Sequence, residues 1–133
     1  MTYEQILADI KKRVFYPIYF LMGEEPFFID TISNELENTI LDEAERSFNQ
    51  VVLYGGDVTA KDIMTQARAF PMMGEYLVVI VKEAHNVKDI ESLADYLDKM
   101  PSTTILIINY KYKKLDKRRA LAKYTDKKGV LFE

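Results

Sequence analysis

A chain of 133 residues can bury one substantial core, and 48% hydrophobic with 29% charged residues is the balance of a folded globular domain, not of a disordered tract. The absence of cysteine excludes disulfides, thiol catalysis and thiolate metal sites, and a single histidine, His85, excludes a histidine metal cluster or a two-histidine mechanism. The formal net charge of −3 argues against a dedicated nucleic-acid module, although acids dominate residues 1–60 and the stretch KYKKLDKRRALAKYTDKK at 111–128 is strongly basic.

Residues 3–13 place Ile6, Leu7 and Ile10 on one helical face, and the apolar run 18–22 after Pro17 predicts a buried strand. Pro26 suits the first turn of a second helix, where its missing N–H is no loss, and Ile29, Ile32, Leu36 and Ile40 then recur at helical spacing. Residues 48–54, FNQVVLY, predict a strand closed by Gly55 and Gly56. Thr59 is placed to cap a helix over 60–68, with Asp62 at the capping-box position. Phe70, Pro71, Met72, Met73 and Gly74 follow. They put apolar side chains at a turn, where chains usually come to the surface, just before a predicted strand over 76–81. A helix over 88–100 with Ile90, Leu93, Ala94 and Leu97 inward is ended by Pro101. TTILIIN at 103–109 predicts another buried strand, 116–124 a short basic helix and 129–133 a last strand.

Strands that are apolar throughout and separated by helices predict a three-layer α/β domain spanning 1–133 with a largely parallel, five-stranded sheet. Its ending on a strand leads us to expect the N-terminal fragment of a longer chain, with a natural C-terminal edge strand as the alternative. No apolar run approaches bilayer-spanning length, and the polar N-terminus has no signal-peptide pattern, so a cytoplasmic protein is expected.

In such sheets ligands collect at the carboxyl ends of strands. GEEPFFID at 23–30 lies where a phosphate-binding loop would end in glycine, lysine and serine or threonine. Phe28, Ile29 and Asp30 stand there instead, and Glu24 and Glu25 at the mouth repel phosphates. VVIVKEAH at 78–85 lies where a ring ATPase carries Asp-Glu to hold magnesium and polarise water, but Lys82 occupies the aspartate position. The same lysine argues against a phosphoacceptor domain. Two disabled positions in one register outline an ATPase whose chemistry is gone, so no cofactor, metal or catalytic residue is expected.

PIYFLMGEEPFFID, ARAFPMMGEYLVVIVKEA and TTILIINYKYKKLDKRRALAK, in this order and spacing, resemble the N-terminal domain of the delta subunit of bacterial DNA polymerase III, a clamp-loader subunit. The resemblance covers nearly the whole chain. It implies the AAA+ P-loop ATPase fold with a degenerate nucleotide site, and a non-catalytic subunit that binds the sliding clamp and favours its opening for loading onto DNA during replication. It places the clamp-binding segment at Phe70, Pro71, Met72 and Met73, where the family's better-known pattern is a Leu-Phe pair. Read from residue type alone, Phe70 and the methionines are expected to pack the helix end onto the sheet. Other clamp-loader subunits are implied partners, with DNA reached through the assembled loader. Lys113, Lys114, Lys117, Arg118 and Arg119, flanked by Lys111 and Lys123, either face that DNA or form a solvated helix face. Asn109 lies where ring ATPases keep a γ-phosphate sensor. The alternative is an NTP-binding enzyme with a variant phosphate loop.

Overall fold

Each strand-length apolar run is a strand in the computed structural model, which describes residues 1–133: β1 (Ile18–Gly23), β2 (Gln50–Tyr54), β3 (Leu77–Lys82), β4 (Thr104–Lys111) and β5 (Val130–Phe132). They form one parallel sheet in the order β2-β3-β4-β1-β5. The five helices are α1 (Tyr3–Lys11), α2 (Pro26–Thr39), α3 (Glu43–Asn49), α4 (Ala60–Ala67) and α5 (Ala120–Lys128).

Alternation along the strands feeds two cores. Ile18, Phe20 and Met22 of β1, Val79 and Val81 of β3, and Leu106 and Ile108 of β4 pack with Ile63 and Met64 of α4 and Leu121 of α5. Tyr19, Leu21, Val78, Ile80, Ile105 and Ile107 face the other way, against Ile6 and Ile10 of α1 and Ile29, Ile32 and Leu36 of α2. Helices on both faces explain why β1, β3 and β4 are apolar without a polar side.

Three local expectations are corrected. Residues 43–49 are helical, so β2 starts at Gln50 and Phe48 and Asn49 belong to α3; the helix is capped by Asp42, whose carboxylate accepts from the Glu45 amide at 2.7 Å. The segment 88–100 is not an α-helix but 3₁₀ turns at Ile90–Asp95 and Leu97–Lys99. Ile90, Leu93 and Leu97 are buried there as expected: the three-residue spacing of Ile90 and Leu93 serves a 3₁₀ turn as well as a helix, and Leu97 opens the second turn. The basic helix expected over 116–124 begins only at Ala120. Asp116 accepts hydrogen bonds from the Arg118 backbone and guanidinium, each at 3.0 Å, a local turn that competes with helical geometry. The Thr59 cap and its Asp62 partner form as expected.

Candidate functional site

The chain leaves α4 at Arg68 and reaches β3 at Leu77, so the turn between them lies at the amino-terminal edge of the sheet. The end of α4 is tied down there by the buried Thr104 hydroxyl, which donates to the Ala67 carbonyl at 2.8 Å. Beyond it Phe70 is 71% exposed, Met72 63% and Met73 99%, while Pro71 is half-buried. These side chains are therefore not packing the helix end onto the sheet. Tyr76, at the far side of the turn, is held edge-on by Phe15 at 5.9 Å.

Two residues of α3 join this tip, and residue type did not single them out. Phe48 is 64% exposed and faces Met72 and Met73 across an apolar cleft of about 220 Å³ that Ala44 and Glu45 complete. Asn49 is buried, and its side-chain amide both donates to the Met72 carbonyl (2.9 Å) and accepts from the Met72 N–H (2.6 Å). The capping-box pattern Asp42-x-x-Glu45 was the available signal for α3, and with it the helical placement of Phe48. Phe48, Met72 and Met73 thus share one exposed apolar surface, the type of patch that marks a protein-binding site, and Phe70 is exposed on the same turn.

The carboxyl edge of the sheet is arranged differently. Glu25 caps α2, its carboxylate accepting from the Phe27 amide at 3.0 Å, so the helix end that a nucleotide site would offer to phosphate already holds an anion. Asp30 pairs with Lys111 at 2.7 Å and Lys82 with Glu37 at 3.6 Å. Asn109, in the sensor position, donates to the Ser33 hydroxyl of α2 at 3.0 Å. Each of these groups in the nucleotide register is thus bonded to another residue of the domain.

Lys113, Lys114, Lys117, Arg118 and Arg119 lie on the loop between β4 and α5, exposed but each with an internal partner. Lys113 donates to the His85 carbonyl at 3.0 Å. Lys114 and Lys117 converge on Glu133, the latter at 3.2 Å, and hold its carboxyl below the usual carboxylate range. Arg118 pairs with Asp116 at 3.0 Å and pulls its pKa down to about 2; Arg119 reaches Glu91 at 4.0 Å. Exposed pairs of this kind contribute little and exchange readily for another anion. The loop and the apolar tip lie at opposite edges of the sheet, so the two candidate surfaces are separate.

No helix is long and apolar enough to cross a membrane. The chain is similar to the DNA polymerase III subunit delta of Bacillus subtilis, with 28% identity over 141 residues that take in 96% of this chain and 40% of that protein. Its fold matches the solved Bacillus subtilis DNA clamp loader delta protein with a TM-score of 0.82 at 23% identity, across 99% of this chain and 42% of that one. That likeness establishes the AAA+-like fold, and the chain spans about two-fifths of the length of both proteins. A family model described as DNA polymerase III, delta subunit, matches residues 19–133, and by this match the chain belongs to the DNA polymerase III delta subunit family.

Proposed function

We propose that this chain is a non-catalytic clamp-binding domain of a cytoplasmic clamp loader. Its tip, Phe70, Pro71, Met72 and Met73, enters an apolar pocket on the sliding clamp and favours the opened ring. The observation that carries this is an exposed apolar surface at a turn in a chain of this family, where Met72 and Met73 line a cleft with Phe48 and Phe70 is exposed two residues before Met72. Exposed apolar area is unfavourable in water, and covering it with a partner returns about 25 cal/mol per Å² of apolar surface. Methionine is flexible and polarizable, so Met72 and Met73 can adjust to an irregular pocket, and a few such side chains dominate a typical interface.

The remainder of the domain serves as a rigid holder. The family relationship supports the other clamp-loader subunits as further partners, with DNA reached through the assembled loader past Lys113, Lys114, Lys117, Arg118 and Arg119. Its nucleotide register, filled by Glu25, Asp30, Lys82 and Asn109, each bonded to another group of the domain, supports a role without ATP chemistry. A pull-down of the cognate sliding clamp by the immobilised chain tests the proposal: retention of the clamp is expected, and no retention at micromolar concentrations refutes it.

A further inference from the structure

From Phe70 to Tyr76 the chain makes no backbone–backbone hydrogen bond; the ladder stops at Ala69, which donates to Gln66, and resumes at Leu77, which donates to Thr103. The single polar attachment of these residues to the rest of the molecule is the Asn49 side chain, which satisfies both the N–H and the C=O of Met72. A primary amide carries the same donor and acceptor as a peptide group, so Asn49 acts on Met72 as one residue of a neighbouring strand would. Asn49 is 1% exposed and is the last residue of α3, immediately before β2, so the attachment is made from the buried junction of helix and sheet.

Three features lie beside that attachment. Met73, the next residue, holds a left-handed backbone conformation (φ 56°), which a side chain other than glycine adopts only when its surroundings impose it. At Gly74 a Cβ would lie 3.1 Å from the Asn49 amide nitrogen and 2.8 Å from Glu45 Oε2, so the loop passes close over α3. Phe48, adjacent to Asn49 in the chain, forms the opposite wall of the cleft that Met72 and Met73 line.

We infer that Asn49 is a positioning residue: by hydrogen-bonding both backbone groups of Met72 it preforms the Phe70–Met73 tip and sets its register against Phe48 before a partner arrives. This rests on the clamp-binding role proposed above. A preformed tip avoids the ordering penalty that a mobile loop would meet on docking, so the amide contributes to affinity without touching the partner.

The test compares Asn49→Ala with the parent chain in two arms. Without any partner, NMR hydrogen exchange and methionine-methyl relaxation should show faster exchange of the Met72 amide and looser Met72 and Met73 methyl groups, while the amides of β2 and β3 keep their protection. On the cognate sliding clamp, surface plasmon resonance should show affinity about tenfold lower, the scale of a lost preorganising contact. Gly74→Ala, which pushes on the same amide from the loop side, should loosen the tip in the same way and serves if Asn49→Ala destabilises β2 and β3. An unloosened tip in both variants, or unchanged clamp affinity in a variant whose tip has loosened, overturns the inference. Normal clamp binding by Met72→Ala/Met73→Ala would instead refute the clamp-binding role, and the partner-free arm separates the two failures.

Discussion

Replacing Met72 and Met73 together by alanine distinguishes a binding surface from a packing element. With 63% and 99% of these residues exposed, truncation removes little buried area from the free chain. Urea unfolding should therefore shift by less than about 1 kcal/mol, against the ~2 to 5 kcal/mol that a core methionine loses on the same change. Met73 has nearly all its surface still to bury and Met72 somewhat less, because its flank already lines the cleft beside Phe48. At roughly 1.5 to 3 kcal/mol for each fully buried side chain, and allowing for non-additivity between neighbours, the pair should contribute about 4 kcal/mol to the interface. That is on the order of a thousandfold in affinity, measurable by surface plasmon resonance on the immobilised clamp. Phe70→Ala, made separately, should likewise weaken binding at little cost in stability, since Phe70 is 71% exposed. Unchanged clamp affinity for the methionine pair, or a loss of folding stability as large as that of a core truncation, would refute the reasoning.

Changing Lys113, Lys114, Lys117, Arg118 and Arg119 to serine should leave clamp binding intact; each side chain that contacts phosphate should lower the salt dependence of DNA binding by the assembled loader by roughly one unit of log slope. An unchanged slope would mean that these side chains serve only their internal partners. Asp116, depressed to about 2 chiefly by its hydrogen bonds from Arg118, should supply stability that is present above the ordinary carboxylate pKa and is lost as pH falls towards 2. In Arg118→Ser, which removes the guanidinium but keeps the backbone N–H, carboxyl NMR should move the Asp116 titration up towards the ordinary range, and a midpoint that stays near 2 would assign the depression to another cause. Calorimetry should find no saturable magnesium-dependent ATP binding at micromolar levels, and Lys82→Asp alone should not create any, because Glu25 still occupies the helix end where phosphate would sit. Micromolar ATP binding by either form would restore the nucleotide-enzyme alternative.

The family and the parallel α/β architecture were legible in the residues themselves. Runs such as 77–81 and 105–108 are apolar at every position, the pattern of a sheet covered on both faces, and the Thr59 and Asp62 pair marked the start of α4 locally. Local signals misled where two geometries share a pattern. Ile90, Leu93 and Leu97 suit 3₁₀ turns as well as a helix, and good helix formers after Leu115 hid the turn that Asp116 makes with Arg118. Residue type alone pointed Phe70, Met72 and Met73 towards the core, although an apolar side chain at a helix end serves core or solvent. Only the tertiary structure resolved it. The two cores are already filled by β1, β3, β4 and the helices on both faces, leaving the turn outside them. Its attachment to Asn49 is invisible in the sequence for the same reason: the two partners lie 23 residues apart, and neither hydrogen bond exists until α3 and β3 are both in place.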